Sequence, residues 1–322
     1  MDGTTAGYDA TRAQWAADAE AYWMAAAAGL DWHRPPSRAF FPGQGSYGLW
    51  FADGWLNTCH NALDRHVLAG RGADTALIYD SPVTATQARY TYAEMLARVE
   101  KLAGALAARG VTKGERVIIY MPMLPEALMA MLACARLGAV HSVVFGGFAS
   151  AELAARIDDA QPVAVITASC GIEGARVVHY KPLLDAALDM AAHKPAFTLL
   201  LQRPQEKAAM GQHDVDFETA LAAATPHPCV PVEATHPLYI LYTSGTTGKP
   251  KGIVRENGGH AVALHESIPM IYGLSPGDVM WSASDVGWVV GHSYIVYAPL
   301  LAGCTTLLYE GKPVGTPDAG AF

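Results

Sequence analysis

The residues with the clearest capacity for chemistry lie between 238 and 252. There the apolar run Leu238-Tyr239-Ile240-Leu241-Tyr242 passes straight into Thr243-Ser244-Gly245-Thr246-Thr247-Gly248-Lys249-Pro250-Lys251-Gly252. Glycines let backbone N–H groups converge on oxygen atoms with no Cβ in the way. The hydroxyls of Thr243, Ser244, Thr246 and Thr247 add donors, and Lys249 and Lys251 supply positive charge. A polyphosphate suits that set, and a flexible surface turn is the alternative. The segment is not a Walker A loop: Pro250 follows Gly248-Lys249 where a Mg²⁺-binding Ser or Thr is required, and the glycine spacing is too short. No G-x-G-x-x-G opens a predicted helix.

Two further stretches merit attention. Phe145-Gly146-Gly147 ends an apolar strand with side-chain-free steps, where a ligand could lie against the backbone or the chain could simply exit tightly. Trp288, Val289 and Val290 are large and apolar, and Trp288 reads either as core or as the wall of a small cavity. Metal chemistry finds little footing. Cys59, Cys134, Cys170, Cys229 and Cys304 are odd in number and widely spaced, so neither a disulfide framework nor a C-x-x-C pair is expected, and they read as small buried hydrophobes. The 12 histidines show no H-E-x-x-H spacing, so no structural metal is expected.

The elements that must position these residues alternate regularly. Ala76 to Tyr79 and Arg89 to Tyr92 read as a hairpin. Thr91 and Glu94 form a capping box opening a helix that Gly110 ends. Strands follow at Arg116 to Met121, His141 to Phe145, Val163 to Ala168 and Phe197 to Leu201, with helices at Pro125 to Leu137, Ala151 to Asp159 and Pro182 to Ala191. Strands this apolar belong in a parallel sheet covered by helices on both sides, so the fold class is α/β. Residues 203 to 237 read as a crossover around one helix, Phe217 to Ala224. The expected organisation is an N-terminal helical then irregular segment over 1–70, a first α/β subdomain over 71–237, and the start of a second over 238–322. Five of the seven tryptophans fall in the first 55 residues and are expected to pack onto the body behind them. The strand Thr305 to Tyr309 is expected to expose a sheet edge, and Thr316 and Pro317 to open a helix.

Composition narrows the function further. Of 322 residues, 51% are hydrophobic and 16% charged, which excludes a disordered chain. A net charge of −8 removes the basic footprint that nucleic acid requires. The apolar run Ala127 to Ala135 is far shorter than the ~18–20 residues of a membrane helix. An acidic N-terminus without a basic flank argues against a leader, so a cytoplasmic location is expected.

Y-T-S-G-T-T-G-K-P-K-G resembles the phosphate-binding signature of the AMP-forming adenylating superfamily. L-N-T-C-H-N-A-L-D-R-H-V from Leu56, V-F-G-G-F from Val144 and S-D-V-G-W-V-V-G-H-S-Y from Ser284 resemble its short-chain acyl-CoA synthetase branch, the propionyl-CoA synthetases most of all. The resemblance covers nearly the whole chain. It implies the large N-terminal domain of an adenylate-forming enzyme, with ATP, Mg²⁺ and coenzyme A as cofactors and a short-chain carboxylate as substrate, and with neither nucleic acid nor membrane as partner. Residues 243–249 and Lys251 would hold the ATP phosphates. Phe145, Gly146, Gly147 and Arg176 would touch coenzyme A, although Glu173 stands where the acetyl enzymes carry a second arginine. Trp288, Val289 and Val290 would wall the acyl pocket, the Val-Val pair fitting propionate better than acetate. Asp285 and His292 are not assigned as acid and base, because adenylation needs charge neutralisation and alignment more than proton transfer. The resemblance also implies that the adenine pocket, the Mg²⁺ carboxylate and the adenylation lysine lie beyond Phe322. On that expectation the chain is about the N-terminal half of a ligase, holds no catalytic residue of its own, is inactive alone and has the C-terminal half as a further partner. A phosphotransferase and a non-catalytic module are the rival readings.

Overall fold

A computed structural model of the chain describes residues 3–243, 251–312, 315, 316, 318 and 320. Two helices, α1 (Gly3–Ala17) and α2 (Ala19–Ala27), open it. The aromatics that follow gather on the body: Trp23 and Phe40 pack on Trp50 at 5.8 and 4.9 Å, and Trp32 packs on Phe51 at 5.8 Å. Trp15 stays exposed.

The hairpin β1 (Thr75–Ser81) and β2 (Thr86–Thr91) leads into α3 (Tyr92–Ala107) through the expected capping box, with Thr91 and Glu94 satisfying each other's backbone N–H groups. Along α3, Met95, Val99, Leu102 and Leu106 recur at helical spacing and are buried, each contributing ~1.5–3 kcal/mol. Then come β3 (Arg116–Tyr120), α4 (Pro125–Leu137), β4 (Val140–Val143), α5 (Ser150–Ala160), β5 (Ala164–Ala168), α6 (Tyr180–Met190), β6 (Phe197–Leu201), β7 (Asp214–Asp216) and α7 (Phe217–Ala223). Gly138 stops α4 at φ 69°, and a Cβ there would sit 2.8 Å from Val232 Cγ1, so only glycine fits.

β8 (Pro237–Thr243) and β9 (Lys251–Glu256) precede α8 (Gly258–Ser267), β10 (Val279–Trp281) and β11 (Thr305–Tyr309). Seven strands form one sheet in the order β7-β6-β5-β3-β4-β8-β9, parallel except for the β8–β9 pair. Both its faces are covered. On β3, Val117 and Ile119 join the core that includes α3 and α4, while Ile118 and Tyr120 join the one made with α5 and α6. That alternation is the pleat of a strand buried on both sides.

A second sheet, β10-β11-β1-β2, is parallel up to the β1–β2 hairpin. It corrects one expectation: β11 is not an edge. Parallel partners lie on both sides of it, because β1 returns from more than 200 residues earlier in the chain. Sheet membership also crosses the segment boundary expected at 237. Residues 237–243 and 251–256 complete the first sheet, and the hairpin at 75–91 lies with β10 and β11 in the second. Pro317 lies outside the described residues.

Candidate functional site

A cavity of about 420 Å³ opens where parallel strands of both sheets end. Val83 follows β1, Pro122 and Met123 follow β3, Phe145–Gly147 follow β4, Gly171–Gly174 follow β5, Ala283–Asp285 follow β10 and Glu310–Lys312 follow β11. All are at carboxyl ends, the side on which open α/β sheets bind ligands.

Local sequence explains how the walls are set. In S-D-V-G-W-V-V-G, Asp285 Oδ1 accepts the Gly287 N–H at 2.7 Å. A Cβ on Gly291 would lie 1.9 Å from the Asp285 carbonyl oxygen, and one on Gly287 would lie 3.0 Å from Phe145 Cα. The two glycines therefore let the turn fold onto itself and against the β4 exit, which presents Trp288 to Phe145 at 5.5 Å and to Phe148 at 6.4 Å. On the facing side a Cβ on Gly146 would collide with the Tyr180 hydroxyl at 1.6 Å, so packing alone already demands that glycine. Tyr180 lines the cavity, and burial pushes its hydroxyl well above the usual tyrosine range.

The cavity is acidic. Burial pushes the Asp285 carboxyl up to about 6, against the pull of the Gly287 N–H. Glu310 is committed elsewhere: its oxygens accept from Arg203 Nη1 and Nη2 at 2.8 and 3.0 Å, from Tyr79 at 2.5 Å and from Ser81 at 2.8 Å. Glu173 also lines the space, and Lys312 is the lone cation among the described lining residues. Such a lining suits a neutral, partly apolar ligand arm better than a phosphate.

Of the residues singled out by sequence, the structure brings Phe145, Gly146, Gly147 and Trp288 to this cavity. Arg176 does not line it; its Nη2 pairs with Glu173 Oε2 at 2.7 Å and it is 73% exposed. Val289 and Val290 stand exposed beside Trp288, outside the cavity. Thr243 and Lys251 are register partners at the ends of β8 and β9, and β8 runs parallel to β4, so Thr243 ends on the same side as Phe145. Ser244, Gly245, Thr246, Thr247, Gly248 and Lys249 lie outside the described residues. His292 is buried among rings, stacked on His141 at 5.5 Å with Nδ1 3.0 Å from the Trp288 carbonyl oxygen. Burial lowers it to about 4, so it is neutral at pH 7.

The AMP-binding enzyme family model matches residues 64–321. The chain belongs to the AMP-binding enzymes. A second model, the acetyl-coenzyme A synthetase N-terminus, matches residues 8–62 of this AMP-binding enzyme chain. It is 60% identical over 307 residues to an uncharacterized protein of Pseudomonas aeruginosa, a match covering 95% of this chain and 49% of that one. To human acyl-CoA synthetase short-chain family member 3, mitochondrial, it is 55% identical over 308 residues, 95% of this chain and 45% of the other. To the propionate–CoA ligase of Escherichia coli it is 46% identical over 308 residues, 94% and 48% of the two chains. The chain thus spans about half the length of the curated relatives it matches.

Glu310, Lys312 and Tyr180 are among the lining residues that sequence reasoning passed over. Glu310 had a usable signal, since it directly follows an apolar parallel strand whose carboxyl end must face any ligand. A second cavity, of about 450 Å³, lies between the N-terminal aromatics Trp23, Trp50 and Phe51 and the β9–α8 corner at Arg255, Glu256 and His260. Nothing in the sequence pointed to it.

Proposed function

We propose that this chain is part of an AMP-forming short-chain carboxylate–CoA ligase that converts propionate, ATP and coenzyme A into propionyl-CoA, AMP and pyrophosphate. The observation that carries the reading is the meeting of Phe145 and Trp288 at 5.5 Å across one cavity. A thioester forms only where the thiol arm reaches the activated acyl group, and Phe145, Gly146 and Gly147, assigned to the thiol arm, line one cavity with Trp288, assigned to the acyl group. The aromatic side chains of Phe145, Tyr180 and Trp288, beside carboxylates that would repel a phosphate, support the uncharged pantetheine arm there. The exposed Glu173–Arg176 pair supports a coenzyme A phosphate only if Arg176 exchanges its partner. Residues 243–249 and Lys251 are assigned to the triphosphate, entering as its Mg²⁺ complex. Among the described carboxylates that line the cavity, Glu310 is already held by Arg203 and is not offered as a metal ligand. A reducing, cytoplasmic setting is our inference from five free thiols.

In the complete ligase, Lys249→Ala or Lys251→Ala should slow acyl-adenylate formation far more than transfer of preformed acyl-adenylate to coenzyme A. Equal losses in both half-reactions would overturn the phosphate assignment. Acetate is the competing substrate. Val290→Thr should shift the ratio of specificity constants toward acetate by up to ~1–2 kcal/mol, and an unchanged ratio would remove Val290 from the pocket. The 322-residue chain, given ATP, Mg²⁺, propionate and coenzyme A, should release pyrophosphate at least tenfold more slowly than the complete enzyme, because each missing transition-state contact typically costs several kcal/mol.

A further inference from the structure

Cys59, Asp64 and Cys229 are brought together by the fold, with Sγ and carboxylate oxygen atoms all within 4.8 Å of one another. The separation of 170 positions between the two cysteines concealed this from any reading of spacing. Cys59 is fully buried, immediately before the π-helical turn His60–Asp64. Cys229 is half-buried in the connection that follows α7 and lines its own cavity of about 220 Å³, shared with Asp31, Trp32 and His60. Cys59 thus has its partner on the solvent side.

The backbone around both sulfurs is pinned. Asn57 Nδ2 donates to the carbonyls of Val230 at 2.8 Å and Ala135 at 2.9 Å, the Val230 N–H donates to the Arg136 carbonyl at 2.8 Å, and Arg136 Nε donates to the His227 carbonyl at 2.5 Å. The cluster already contains a cation. Arg136 Nη1 lies 2.8 Å from Asp64 Oδ2 and 3.8 Å from Cys59 Sγ, and Nη2 binds Glu100 at 2.8 Å. A divalent metal would have to displace that guanidinium from Asp64, whereas thiol chemistry leaves it in place. Cys229 Sγ–H is directed to Asp64 Oδ2 at 3.7 Å; the Cys59 hydrogen bond, burial and the Asp64 charge hold this thiol well above the usual cysteine range, so its proton must pass to Asp64 in the same step in which the sulfur attacks.

We propose that Cys59 and Cys229 are a modification site for small hydroperoxides, closing into an intramolecular disulfide. Cys229, reached through the cavity, loses its proton by way of Asp64 and attacks one peroxide oxygen. The O–O bond breaks, and the departing hydroxide takes up a proton to leave as water. Cys59 then attacks the sulfenic sulfur, the S–O bond breaks, and a second water leaves with the Cys59 proton. Two thiols and one hydrogen peroxide become one disulfide and two waters. Cys134, Cys170 and Cys304 are buried elsewhere and are spared. The bond would staple the π-helical turn to the connection leading into β8.

The test uses the whole chain. After treatment with hydrogen peroxide, the titratable thiols in denaturant should fall from five to three, the intact mass should drop by about two hydrogens, and a non-reduced digest of an alkylated aliquot should contain the Cys59 and Cys229 peptides linked. Dithiothreitol should restore all five. Cys229→Ser should abolish the loss, and Cys59→Ser should leave Cys229 trappable as a sulfenic acid. The inference is overturned if the untouched chain gains oxygen without forming the linked peptide, if Cys229→Ser still forms an intramolecular disulfide, or if the purified chain retains one zinc per molecule that shields both thiols from alkylation.

Discussion

Removing the Glu310 carboxylate should cost more than removing both members of its pair. Arg203 and Glu310 are about 95% buried, and Glu310→Ala strands a guanidinium in the interior, which typically costs ~3–5 kcal/mol. Replacing both by apolar residues of similar volume removes the stranded charge, so a Glu310→Leu/Arg203→Met double variant should be more stable than Glu310→Ala alone. Urea denaturation of both variants checks the order, and the reverse order would show that the pair contributes little. Protonation acts at the same scale. Burial lowers His66, His265 and His292 to about 4 and His260 to about 3, and holds His141 well below 6.5. Unfolded, each titrates near ~6.5, so as pH falls from there toward 4 the unfolded chain binds more protons and stability is lost. Asp285, raised to about 6, and Glu126 and Glu256, also raised by burial, oppose this as pH falls, but they are three groups against five. The urea midpoint should therefore fall between pH 6.5 and 5, a loss of several kcal/mol; a flat profile across that window would show that these histidines are not held neutral.

Thr91→Ala removes one half of a reciprocal cap at the start of α3 and should cost ~1–2 kcal/mol, read by thermal or urea unfolding. The cap is also where the sequence was most legible, because T-x-x-E, Pro125 at the start of α4 and Gly138 at its end are local chemistry written in neighbouring residues. The strands of the large sheet were legible for the same reason: on β3 no position needs to be polar when both faces are covered. What escaped was everything decided by distant partners. Nothing near Thr305 says that β1 will lie beside it, so β11 read as an edge. Nothing near Cys229 announces Cys59. Within the candidate site the glycines and Trp288 stood out by composition, whereas Tyr180 and Glu310 acquire their places only through the packing of α6 and the meeting of the two sheets.

At the scale of the whole molecule the two sheets are interlocked, since β1 at 75–81 and β8 at 237–243 each pair with a strand far from them in sequence. Residues 71–237 alone would leave β1 without β11 and β4 without β8. That fragment should show no cooperative transition, while the full chain unfolds in one, and a sharp transition in the fragment would show that the segment is an independent folding unit. The interlock also sets a timetable during synthesis. Leu77 and its neighbours meet Thr306 and its neighbours, about 230 residues further along. At ~5–20 residues per second a ribosome needs roughly 10–50 s to supply them. For all of that time the nascent hairpin carries an open strand edge with apolar residues behind it, the state in which a chain pairs with the wrong neighbour or is held by a chaperone. The large sheet can assemble most of its strands while the small one waits, so the hairpin at 75–91 is closed only by strands made much later.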